Sequence, residues 1–213
     1  MNNLFEIKVC GINDEISMNT VINCKVDYIG LVFYQNSPRN VSINICKNLL
    51  NLRNKTSKIV ALTVNPEDDF LYEIKKVVNP DYLQLHGSEN PSRCFEIKQK
   101  FNIPLIKGIN VKNKVDLIRS TKHFEDVCDI LLLDAPSETL PGGNGKKFDW
   151  DILKDFNFKK KWMLAGGLNI NNIKMAIDVT KAPAIDISSG LEIKKGIKDP
   201  KLIEDFIVKC KNL

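Results

Sequence analysis

Several features that would announce a function are missing from this sequence. Its six cysteines, Cys10, Cys24, Cys46, Cys94, Cys128 and Cys210, form no Cys-x-x-Cys pair, and none stands at metal-ligand spacing from a histidine. They therefore offer no metal-ligand pattern. Dispersed cysteines in 213 residues also speak against a disulfide framework and for a reducing compartment, so a cytoplasmic location is expected. No apolar run approaches the roughly 20 residues of a membrane span, and the opening MNNLFEIK lacks the basic-then-apolar order of a secretion signal. The net charge of +5 is spread over lysines interleaved with Asp and Glu. No basic face with interleaved aromatics emerges, so neither nucleic acid nor a membrane is an expected partner. A mild positive balance does suit an anionic small substrate. No G-x-G-x-x-G follows the first apolar run, which weakens a dinucleotide-binding reading.

What is present is a repeated unit. Short apolar runs at 7–12, 28–34, 59–64, 82–85, 104–109, 129–134, 162–165 and 184–187 are followed by helical patterns at 13–24, 42–54, 67–78, 91–100, 112–122, 149–155, 170–179 and 200–211. The runs are continuous and rich in β-branched residues, as in strands buried on both faces. Asn13-Asp14, Asn65-Pro66 and Asp199-Pro200 read as helix starts. Eight strand-then-helix units of about 25 residues, without a linker or a break in composition, indicate an α/β chain folded as one (β/α)₈ barrel domain over 1–213. The alternative is an open doubly wound sheet.

In such a barrel, chemistry belongs to the strand ends and the loops beyond them. Polar and small residues cluster there. Cys10-Gly11 follows strand one, Ser37-Pro38-Arg39 strand two, Gln84 and His86 end strand four, and Asp134 ends strand six. Gly166-Gly167 follows strand seven, and Asp186, Ser188, Ser189 and Gly190 follow strand eight. Cys10 is either a small apolar filler or a reactive sulfur, with Gly11 clearing space for a ligand. The two glycine loops suit a phosphate, with Gly166-Gly167 opening a helix whose N–H groups face the anion. Asp134, anchored behind Leu131-Leu132-Leu133, suits a general acid, or else caps or braces a loop. The Arg39 fork suits a carboxylate or phosphate, or else a surface ion pair. His86 is either a satisfied structural histidine or a ligand contact. Lys8 shares a strand face with Cys10. It either lowers the thiol pKa or braces a carboxylate such as Asp186.

The stretches KVCGI, GLVFYQNSPRNVS, LQLHGSE, LLLDA, GGNGKKFDW, LAGGLN and DISSGLEIKKGIKD resemble, in order, those of the phosphoribosylanthranilate isomerases, tryptophan-pathway barrels. The likeness spans nearly the whole chain. One departure is Asn144 in GGNG, where the family usually has threonine. The resemblance implies an Amadori rearrangement of N-(5-phosphoribosyl)anthranilate, with no cofactor, Cys10 as general base and Asp134 as general acid. It implies Arg39 on the anthranilate carboxylate, Gln84, His86, Gly145 and Asp186 among the substrate contacts, and Gly166, Gly167, Ser188, Ser189 and Gly190 on the phosphate. For Cys10 to act as a base, the site must favour its thiolate. At this length a fused indole-glycerol-phosphate synthase is not expected. Monomer and homodimer both stay open.

Two rivals are weaker. The histidine-pathway isomerase barrel, a doubled half-barrel, resembles a chain with an aspartate on strand one and phosphate loops in both halves. Here strand one carries Cys10, and the first half has no counterpart of AGG or SSG. A barrel that only binds a phosphorylated ligand would dispense with the acid or the base, and both are present.

Overall fold

A computed structural model describes residues 5–53, 55–134 and 149–213. Strands and helices alternate through most of the chain: β1 (Glu6–Cys10), α1 (Glu15–Asn23), β2 (Tyr28–Phe33), α2 (Ile43–Asn51), β3 (Lys58–Thr63), α3 (Asp68–Val77), β4 (Tyr82–Leu85) and α4 (Pro91–Phe101). Then come β5 (Leu105–Asn110), α5 (Lys114–Phe124), β6 (Ile130–Asp134), β7 (Lys161–Leu164), α6 (Ile173–Thr180), β8 (Ala184–Ile187) and α7 (Pro200–Lys211). The strands β1 to β8 close into a parallel barrel, with β8 pairing back onto β1.

Alternation along each strand sorts the side chains into two cores. Ile7 and Val9 of β1, Ile29 and Leu31 of β2, and Leu131 and Leu133 of β6 join the large cluster packed beneath the helices. Each such side chain, fully buried, contributes about 1.5–3 kcal/mol. The alternate positions form a smaller cluster of Tyr28, Val60, Ile106, Ile130, Leu132, Met163, Ala165 and Ala184. The next inward layer, toward the strand ends, changes to Cys10, Gln84, Asp134 and Asp186. Helix starts at both ends of the chain follow the expected chemistry. Asp14 accepts the Ser17 N–H at 2.8 Å, and Asp199 accepts those of Lys201 at 2.8 Å and Leu202 at 3.4 Å.

Four expectations are corrected. The helix expected over 149–155 is a single 3-10 turn, Trp150–Leu153, so seven α-helices and not eight surround the barrel among the described residues. Its apolar pattern lasts only one turn, Trp150 and Leu153, before Asp155 adopts a φ of +59°. Asn65 does not cap α3, whose N-cap is Glu67 without a side-chain bond. Asn65 reaches instead to the Ser88 N–H at 2.8 Å. Gly166-Gly167 does not open a helix, because α6 begins at Ile173; both glycines sit in a turn, with φ of +86° and +66°. Finally, a small antiparallel hairpin, β9 (Glu192–Lys194) and β10 (Ile197–Lys198), follows β8 where no strands were expected.

Candidate active site

The ends of seven barrel strands surround one open cavity of about 630 Å³. Its wall brings together most of the residues singled out from the sequence: Cys10, Arg39, Gln84, His86, Asp134, Gly166, Gly167, Asp186, Ser188 and Ser189. Gly145 lies outside the described residues, as do Asn144 and the rest of 135–148. Gly190 is not on the wall. A Cβ there would stand 2.0 Å from the Leu168 carbonyl oxygen, so its missing side chain lets the loops beyond β7 and β8 touch.

Cys10 ends β1 and is 5% exposed. The room for its sulfur comes from a residue not singled out in the sequence. Gly30 is its register partner on β2, and a Cβ there would lie 2.8 Å from the Cys10 Sγ. Gly11 does not clear space for a ligand. With φ of +83°, it leaves room for Arg39, whose Cδ would be 2.6 Å from an added Cβ. A third glycine works the same way on β5: a Cβ at Gly108 would sit 2.5 Å from the His86 Nδ1. An isolated glycine inside a strand run is the visible signal for such a close approach.

Lys8 meets both of its expectations: it pulls the Cys10 thiol down, and its Nζ donates to Asp186 Oδ1 at 2.8 Å, across the β1–β8 register. Burial pulls this lysine down, but the Asp186 charge and Cys10 hold it above its ordinary value. The expected bias toward a thiolate is reversed. Burial pushes the Cys10 thiol above its ordinary value; Lys8 and Lys198 pull it down without overcoming burial, and Asp186 adds to the rise.

Opposite stands a chain of three polar groups. The Gln84 Nε2 lies 2.9 Å from the His86 Nδ1, and the His86 Nε2 lies 3.4 Å from the Asp134 Oδ2. Which of the two groups donates in the Gln84–His86 contact is set by the imidazole tautomer. His86 and Asp134 are both largely buried, and Asp134 ends β6 in register with Asn110. The β4 loop is fixed by a buried ion pair, Lys107 to Glu89 at 2.8 Å, with the Gly87 carbonyl also accepting from Lys107 at 2.8 Å. Arg39 forms an ion pair, but a buried one: Glu192 takes its Nε at 2.7 Å and Nη2 at 2.8 Å. Sequence reasoning missed Glu192, Lys198, Gly30 and Gly108, along with the apolar wall residues Val32, Leu62, Val64 and Leu168 and the Tyr34 ring. Among the described residues no group of three His, Cys, Asp or Glu side chains is arranged to hold a metal ion.

Residues 7–209 match the family model described as N-(5′-phosphoribosyl)anthranilate (PRA) isomerase. The chain belongs to the phosphoribosylanthranilate isomerase family. An N-(5′-phosphoribosyl)anthranilate isomerase of Rhizobium rhizogenes is 38% identical over 204 residues, 94% of this chain and 91% of that one. The phosphoribosylanthranilate isomerase crystal structure from Thermotoga maritima superposes with a TM-score of 0.88 at 30% identity, covering 98% of this chain and all of that one. A second phosphoribosylanthranilate isomerase structure, in complex with reduced 1-(o-carboxyphenylamino)-1-deoxyribulose 5-phosphate, superposes with a TM-score of 0.84 at 30% identity and the same coverage. The chain is thus a phosphoribosylanthranilate isomerase by family, an aldose–ketose isomerase of tryptophan biosynthesis, and its closed barrel is shared with those structures. Among the described residues no helix is long and apolar enough to cross a membrane.

Proposed function

We propose that the cavity rearranges N-(5-phosphoribosyl)anthranilate to 1-(2-carboxyphenylamino)-1-deoxyribulose 5-phosphate, with Asp134 as acid and Cys10 as base. The observation that carries this reading is their shared cavity: the Asp134 carboxyl and the Cys10 thiol, each at a strand end, with Arg39 and the Gly166-Gly167 turn on the same wall. Asp134 gives a proton to the furanose ring oxygen as the C1′–O bond breaks. The substrate nitrogen's lone pair forms the Schiff base. The Cys10 thiolate then takes the C2′ proton, and the electrons of that bond form the enolamine, whose tautomerisation yields the ketone. The substrate's own amine is the electron sink.

His86 directs an N–H at Asp134 and so holds that carboxyl in place. Gln84 stands against the histidine's other ring nitrogen, and Asp186 binds the sugar hydroxyls from beside Lys8. Arg39 holds the anthranilate carboxylate through the end of its fork that Glu192 leaves open. The 5′-phosphate lies between the Gly166-Gly167 turn and Ser188-Ser189, with the Gly190 N–H as the one group that residue can offer. Gly145 is assigned to the substrate as well. Two anchors at opposite ends place C2′ and the ring oxygen between base and acid, as proximity catalysis requires. Purified protein mixed with freshly made phosphoribosylanthranilate tests the reading: its fluorescence should fall far faster than in buffer, with the aminoketose as sole product. Decay at the buffer rate would overturn it.

A further inference from the structure

The hairpin after β8 carries a buried carboxylate that the reaction itself does not call for. Glu192 is 4% exposed at its side chain and lies 153 positions from Arg39 in the chain. It takes one edge of the Arg39 fork in a two-point contact, Nε at 2.7 Å and Nη2 at 2.8 Å. The carboxylate is itself held from behind. Lys198 donates to its Oε1 at 2.6 Å, and the Gly196 N–H to its Oε2 at 3.1 Å. Lys198 also reaches the Ser188 carbonyl at 3.1 Å and hydroxyl at 3.2 Å, so the hairpin is tied to the loop beyond β8.

The backbone contact is equally close. A Cβ at Gly196 would stand 2.4 Å from the Pro38 carbonyl oxygen, one residue before Arg39. Burial pushes the Glu192 acid up, but the Arg39 hydrogen bonds and the Lys198 charge outweigh it and leave it at about 2. Glu192 is therefore ionised throughout the working pH range. Arg39 sits on the cavity wall with its side chain 8% exposed. A guanidinium has five N–H donors in a rigid fork. Glu192 occupies the Nε/Nη2 edge, which leaves the Nη1/Nη2 edge in the geometry of a second bidentate partner. A long, rotamer-rich side chain is thus fixed before substrate arrives, and preorganisation of that kind favours binding.

We propose that Glu192 is a positioning residue for substrate recognition, holding the Arg39 fork so that its far edge meets the substrate's carboxylate. The proposal rests on the reading of Arg39 as the carboxylate anchor. A single steady-state series tests both. The substrates are N-(5-phosphoribosyl)anthranilate and N-(5-phosphoribosyl)aniline, which differ only in the carboxylate. Glu192→Gln should raise KM for the anthranilate substrate by about tenfold or more, with kcat changed less than threefold, and leave kcat/KM for the aniline substrate within twofold of wild type. In an Arg39→Ala background the same change should add nothing. Glu192→Asp keeps the charge but retracts it by one methylene. It should raise KM at least threefold for the anthranilate substrate alone, and it serves if the glutamine variant does not fold. Equal losses on both substrates, or an unchanged KM in both variants, would overturn the proposal. Arg39→Ala at wild-type KM would instead overturn the anchor reading, which separates the two failures.

Discussion

Replacing Gly30 by alanine adds one carbon where the Cys10 sulfur already sits. The new Cβ would stand 2.8 Å from Sγ, 3.0 Å from Cα and 3.2 Å from Cβ of Cys10. Non-bonded carbon atoms prefer about 3.5–4.0 Å, so all three contacts are too short, the sulfur by about 0.7 Å or more. The strand cannot yield easily, because β2 is hydrogen-bonded on both sides and all six of its residues are buried. The cheapest relief is to push the thiol out of its rotamer and away from β2. Overpacking of this sort costs about 1–3 kcal/mol, and for a chain of this size that lowers Tm by roughly 2–12 °C. A catalytic atom displaced by about 1 Å can cost about 100-fold in rate. Differential scanning calorimetry and the fluorescence assay should therefore show a modest fall in Tm with a 10- to 100-fold fall in kcat, the rate loss out of proportion to the stability loss. Wild-type kcat and Tm in Gly30→Ala would refute the reasoning that Gly30 makes room for the sulfur.

Three further expectations concern the Cys10 thiol and the turn after β7. Because burial holds the Cys10 thiol above its ordinary value, the base form is scarce at neutral pH and gains as pH rises through the folded pKa, so kcat/KM should climb on the alkaline side. The same raised pKa favours the folded state at low pH. That contribution is complete below the unfolded value and lost as pH rises through the folded one, so Cys10→Ser should lose less stability between neutral and alkaline pH than wild type does. A flat kcat/KM profile over that range would contradict the first statement, and equal stability losses in wild type and Cys10→Ser the second. Gly167→Asp places a negative charge in the turn assigned to phosphate, at a φ of +66° that disfavours a side chain. Inorganic phosphate should inhibit the wild type competitively and the variant not at all; equal inhibition of both would remove the turn from the phosphate site.

The barrel was legible because its evidence is local. Runs such as YIGLVF are buried end to end, and Pro200–Lys211 starts and stops where its Asp199 cap and apolar spacing place it. The strand ends were legible for the same reason, since the closed topology brings them to one mouth. What escaped depends on contacts between distant positions. Gly11 follows the cysteine in the chain, yet the glycine that accommodates the sulfur is Gly30 on the next strand. The sequence offers Arg39 a ligand anion or a surface ion pair, and not a buried one, because its partner, Glu192, lies in a hairpin of short strands with exposed Ile193 and Ile197. That segment offers too few alternating residues to announce strands. Gly166-Gly167 looked like a helix start because glycines in a turn and at a helix entrance have the same composition. Only Asn172, the N-cap of α6, whose amide donates to the Gly167 carbonyl at 2.9 Å, separates the two. The net state of the Cys10 thiol was inverted because sequence shows the neighbouring lysine but not the depth of burial.

The roles proposed for Cys10 as base and Asp134 as acid stand or fall on the two side chains themselves. The most direct measurement is the turnover of phosphoribosylanthranilate by Cys10→Ala and Asp134→Asn beside the wild type, with Tm recorded for each. Each variant should lose at least ~100-fold in kcat, the scale of a positioned acid or base, while keeping a cooperative unfolding transition. Near wild-type kcat in either folded variant would contradict the role assigned to that residue, and in both it would contradict the mechanism.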